Sequence, residues 1–234
     1  MLKPKKRITK KELKQDTLVS TYAMMTSYYY EYKKYVSYGI TAIVALVIVI
    51  IVINNNRRAN NEKASSELAK AFTLYDAGAT NPRSYQLAID GQPERGIMGL
   101  KAIVENYGST HSGELARFYL ANACFNLGQI DEAFKHFDNF SSDDKTLGAS
   151  ALAGLASCYE YKKNYEKASS YYEKAANMVS NAQSTPAYLH FAARCYALSG
   201  DKEKAAALYK RLKKEFPTSG FAREAERYIV QYSA

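Results

Sequence analysis

Three cysteines and three histidines are the residues with which this 234-residue chain could hold a metal or mount a nucleophile. Cys124, Cys158 and Cys195 lie far apart with no CxxC pairing, which indicates neither a zinc ribbon nor a disulfide framework. His111, His136 and His190 share no ligand spacing with one another or with a cysteine. No glycine-rich phosphate loop, HExxH or GxSxG occurs either. The expectation is a chain that is not an enzyme, needs no cofactor or metal and has no small-molecule substrate. The cysteines read as small hydrophobes packed midway along helices, with pairing of Cys158 and Cys195 left open. Function must then lie on surfaces, and surfaces depend on the elements that carry them.

Composition describes those elements coarsely. At 47% apolar and 24% charged residues, the chain matches a globular average and excludes both wholesale disorder and a polytopic membrane protein. Five prolines and 12 glycines favour long uninterrupted helices over a many-turned β sandwich. The net charge of +9 is lopsided: residues 1–35 carry +6 and the remaining 199 only +3. That distribution argues against a nucleic-acid interface and for a local role of a basic tail.

The segment after the tail gives it that role. Residues 36–53 read VSYGITAIVALVIVIIVI, 18 residues without a charge, which as a helix rise about 27 Å, close to the thickness of a bilayer core. A transmembrane signal anchor is expected there. Tyr28, Tyr29, Tyr30, Tyr32, Tyr35 and Tyr38 crowd its amino-terminal side, as in an interfacial aromatic belt. Nine basic residues precede the span, against Arg57, Arg58, Lys63 and Lys70 just after it. The bias predicts a cytosolic tail and an exported body at the cytoplasmic membrane. The length of the basic region, and the lack of a small-x-small site in NNNRRAN, argue against cleavage. Within the tail, Leu13, Leu18, Val19, Tyr22, Met25, Tyr29 and Tyr32 fall at partly helical spacing. That segment is expected to rest its lysines on anionic headgroups or to dock a cytosolic partner.

The body repeats itself. ARFYLANACFNLGQIDEAFKHFDNF from Ala116, LAGLASCYEYKKNYEKASSYYEKAA from Leu152 and YLHFAARCYALSGDKEKAAALYKRLKKEFP from Tyr188 align on small and aromatic residues. Ala133, Ala168 and Ala205 correspond, as do Phe137, Tyr172 and Tyr209 four residues later. These segments resemble tetratricopeptide repeats. Leu155-Ala156, Tyr159, Ala168, Tyr172 and Ala175 match one repeat; Ala192-Ala193, Tyr196, Gly200, Ala205, Tyr209 and Pro217 match another. The helix-turn glycine is Gly128 and Gly200 but becomes Lys163 in the middle repeat.

The resulting fold class is all-α: one transmembrane helix, then a tetratricopeptide-repeat solenoid with a capping helix. Its parts are a tail over 1–35, the span over 36–53, and a linker with a degenerate first repeat over 54–112. Three repeats over 113–218 and a cap over 219–234 complete it. In the degenerate repeat, Glu67 to Ala77 and the segment from Gly96 read as helices around a Gly/Pro-punctuated insertion. First helices of such repeats line a concave face, and register predicts which side chains project there. They are Leu115, Phe118, Asn122, Phe125 and Asn126; Ser150, Ala153, Ser157, Glu160 and Tyr161; then Ala187, His190, Arg194, Ala197 and Leu198. Phe118, Asn122, Asn126, Ser157, Tyr161, His190 and Arg194 are the candidate partner-binding residues. Asn122 and Arg194 occupy the level at which related repeats clamp a peptide carboxylate, but Phe118 and His190 replace the usual lysine, so the full clamp is absent.

A basic tail, one span, a degenerate repeat and then regular ones together resemble the YfgM family of inner-membrane proteins. The resemblance implies an ancillary role at the SecYEG translocon alongside periplasmic chaperones. An envelope-assembly or cell-division adaptor using the same repeats is the alternative expectation.

Overall fold

The computed structural model describes residues 10–233. Lys3, Lys5, Lys6 and Arg7, expected in the basic tail, lie outside them. Two compact units form, one up to Asn56 and one from Arg57.

Helix α1 runs Lys10–Ala77, 68 residues. The segment is free of proline and contains one glycine, Gly39, so nothing in it terminates a helix before Gly78 and the Asn81-Pro82 pair. Among the described residues this is the one helix long and apolar enough to cross a membrane; its most apolar window has mean hydropathy 2.9 and none of that window is buried within the chain.

In the second unit the end of α1 turns apolar on one side. Ala64, Leu68 and Ala71, spaced at four and three residues, are buried. α2 (Arg83–Asp90) and a two-stranded antiparallel ladder, β1 (Gly91–Gln92) with β2 (Ile97–Met98), come next. The sequence suggests only a punctuated insertion here. Positive φ at Gly91 and Gly96 instead folds the chain back into a short hairpin within an otherwise helical body. α3 (Leu100–Tyr107) seats Leu100 and Ile103 fully in the core.

Three helix pairs complete the repeats. They are α4 (His111–Asn126) with α5 (Ile130–Asp138), α6 (Lys145–Tyr161) with α7 (Tyr165–Met178), and α8 (Thr185–Leu198) with α9 (Lys202–Glu215). α10 (Gly220–Ser233) closes the series. The matching alanines Ala133, Ala168 and Ala205 have no exposed surface; a larger side chain would hold the paired helices apart.

Four residues on, the matching aromatic reaches into the next pair. Phe137 lies where a Cβ on Gly154 would come within 2.4 Å of its ring, so α5 can seat there only because residue 154 is glycine. Tyr172 meets Phe191 at 5.5 Å between ring centroids, and Tyr209 stacks on Tyr228 of α10 at 4.9 Å. α10 thus takes up the aromatic of the last pair as each first helix takes up its predecessor's, which is what a solenoid end needs.

The turns inside the pairs share one construction. The amides of Gln129, Asn164 and Asp201 donate to the carbonyls of Cys124, Tyr159 and Tyr196 at 2.9 Å each, closing a Schellman motif. Asn164 and Asp201 then cap the following helix, their side chains accepting from the Lys167 and Lys204 amides. The left-handed position is Gly128 at φ 75°, Lys163 at φ 59° and Gly200 at φ 96°. A side chain there costs about 1–2 kcal/mol. Lys163→Gly should therefore stabilise the body by about 1 kcal/mol, seen as a rise of roughly 2–4 °C in the thermal midpoint. Gly200→Ala, with open space around the added Cβ, should lower it. An unchanged midpoint for both variants would show that this turn carries no strain.

Candidate functional site

Chemistry of the covalent kind finds no support in the cysteines. All three are free and buried. Burial pushes the Cys124 and Cys158 thiols up to about 11 and Cys195 to about 12, so none is a thiolate nucleophile at neutral pH. Among the described residues, no group of three His, Cys, Asp or Glu could hold a metal ion.

A groove of about 410 Å³ opens where α6 and α8 come together, lined by Phe125, Ser157, Glu160, Tyr161, Tyr165, Tyr172, Arg194 and Leu198. Its floor is a chain of hydrogen bonds. Tyr172 Oη lies 2.8 Å from Ser157 Oγ and donates to Glu160 Oε2 at 3.2 Å. The other Glu160 oxygen accepts from Arg194 Nη2, and the Arg194 guanidinium lies 5.2 Å from the centroid of the Phe191 ring. Burial, with a further push from Glu160, raises the Tyr172 phenol well above its ordinary value against the lowering effect of its hydrogen bond with Ser157, so it stays protonated and can donate. The ion pair and ring contact hold Arg194 in place, although the pair itself is worth little because Arg194 is 44% exposed. Above this floor stand two apolar groups in solvent, Tyr161 at 66% and Leu198 at 54% exposure.

Ser157, Tyr161 and Arg194, three of the candidate partner-binding residues, meet in this groove, together with Phe125, Glu160 and Leu198 of the same stripe. The other four candidates are placed differently. His190 is only 9% exposed, ringed by Phe191, Tyr209, Phe221 and Tyr228 at 5.0–6.1 Å. It departs from the expected groove position because α10 folds over it, and burial, aided by Arg194, lowers its pKa. Phe118 also turns inward, half-buried against Phe137 and Phe140. Asn122 donates to the Phe118 carbonyl and Asn126 to the Asn122 carbonyl, both at 2.8 Å, so these amides fold onto their own helix.

Tyr165 and Tyr172 reach the groove from α7, outside the first-helix stripe. Tyr172 occupies the aromatic position that packs repeats together, and nothing in its spacing separates that role from lining a groove.

Residues 148–212 match the family model described as tetratricopeptide repeat. Crystal structures of a Podosopora anserina chain, described as a kinesin light chain with nearly identical TPR-like repeats, share the fold: TM-score 0.54, 16% identity, covering 74% of this chain and 86% of that one. A single-substitution form of the same Podosopora anserina chain gives a TM-score of 0.54 and 15% identity, covering 74% of this chain and 85% of that one. No curated protein matches the chain. The body has a TPR-like helical-repeat fold, an architecture whose extended concave surface generally serves to bind other proteins.

Proposed function

We propose that this chain is a membrane-anchored scaffold that binds other proteins through the α6–α8 groove. The observation that carries the reading is the groove itself. Exposed Tyr161 and Leu198 stand over an Arg194 already fixed by Glu160 and Phe191, and aromatic and arginine side chains held in place are the types that dominate interface energies.

The anchor is α1 over residues 36–53. An 18-residue apolar surface left wholly uncovered by its own chain is costly in water and at home in a bilayer. The excess of basic residues before the span supports a cytosolic 1–35 and an exported 54–234. The finer reading, an ancillary SecYEG subunit that passes exported chains to periplasmic chaperones, rests on the likeness in architecture to the YfgM family.

Protease added to intact spheroplasts tests the arrangement. Digestion of 54–234 with 1–35 spared is the expected result; protection of the body would reverse the orientation and end the periplasmic reading. Copurification of SecY with the tagged full chain in mild detergent is expected on the translocon reading, and its absence would leave the scaffold and remove that partner.

A further inference from the structure

We propose that residues 18–53 of α1 pair with the same segment of a second copy, as parallel helices packed along a single seam. Leu18, Tyr22, Met25, Tyr29, Tyr32 and Val36 follow one another at alternating steps of four and three, and each is 41–71% exposed. That alternation is the coiled-coil heptad, in which positions a and d face a partner helix. It runs on into the apolar segment through Gly39, Ile43, Leu46, Ile50 and Ile53. There the a positions are Val36, Ile43 and Ile50, with Leu46 at a d position, the combination that favours two parallel strands. Glu31, Lys33 and Lys34, the only charged residues between Leu18 and Ile53, all fall off the seam.

Gly39 supplies a second observation. It stands at a d position in mid-helix, where glycine is a poorer helix former than alanine. Nothing in its own chain lies within 4 Å of where its Cβ would be. The fold of one copy therefore does not require glycine there, whereas close approach of a neighbouring helix inside a bilayer does. The occupant is a second copy because two anchors inserted with the same orientation are necessarily parallel and aligned at the span. The two seams then meet in register over their whole length.

This inference rests on the membrane reading above, and cysteine cross-linking in membranes of expressing cells separates the two. Cysteine replaces Tyr22, Met25, Tyr29 or Tyr32 on the seam and Ala23, Ser27 or Tyr30 off it, in the full chain. The native cysteines stay in place because they are buried. Membranes are oxidised with copper phenanthroline and blocked with N-ethylmaleimide, and the alkaline-washed pellet is scored for disulfide dimers. The expected result is retention in the pellet, with dimer yields several-fold higher at seam positions than off it. The parent chain should give none, and Gly39→Leu should lower the seam yields. Retention with uniform or absent dimers would overturn the pairing and leave the anchor standing. Loss of the chain to the alkaline supernatant would overturn the anchor and the pairing with it.

Discussion

Tyr172→Ala should destabilise the body by roughly 3–5 kcal/mol, the usual cost of deleting a buried aromatic side chain. Tyr172 is 4% exposed, its ring meets Phe191 of α8, and its hydroxyl joins Ser157 to Glu160. Truncation would open a cavity between two repeats and remove the hydrogen-bonded floor of the groove at once. Against a typical total of about 5–15 kcal/mol that loss is severe. Tyr172→Phe separates the two contributions, since it keeps the ring and deletes one hydroxyl, at an expected cost of about 1 kcal/mol. Denaturant unfolding of both variants checks the ranking. A Phe variant as unstable as the Ala variant would place the stability in the polar network rather than in the packing.

The second large effect concerns binding rather than folding. Tyr161→Ala and Arg194→Ala should each weaken partner binding by about 2 kcal/mol, near 30-fold in Kd, with little change in stability. Tyr161 is mostly in solvent and Arg194 nearly half so, and Glu160 keeps its bond to Tyr172 when Arg194 is removed. The fold can therefore tolerate both changes. Lys202→Ala, on the exposed start of α9 and outside the groove, is the control that should bind normally.

The repeat register was readable because packing writes it into the chain. Ala133, Ala168 and Ala205 must be small wherever paired helices touch, and they have no exposed surface. Alignment also placed Lys163 at the level of Gly128 and Gly200, and all three adopt positive φ. The features that escaped depend on residues distant in sequence. His190 has stripe spacing but is covered by Phe221 and Tyr228 of α10. Gly154 carries no turn; its reason is the Phe137 ring from the preceding pair. Tyr165 and Tyr172 enter the groove from α7, which a pattern drawn along the first helices cannot include. The chemistry-bearing residues were the least informative, because burial silences all three cysteines.

Recruitment of partners by the α6–α8 groove, rather than by the tail, can be read by quantitative mass spectrometry of proteins retained by the tagged full chain in mild detergent, comparing the parent with a Tyr161→Ala/Arg194→Ala double variant of unchanged thermal midpoint. The parent should retain a defined set of partners, and the double variant should lose that set by about 30-fold or more while the Lys202→Ala control keeps it. If the double variant holds every partner and replacement of residues 1–35 releases them, the tail and not the groove is the binding surface.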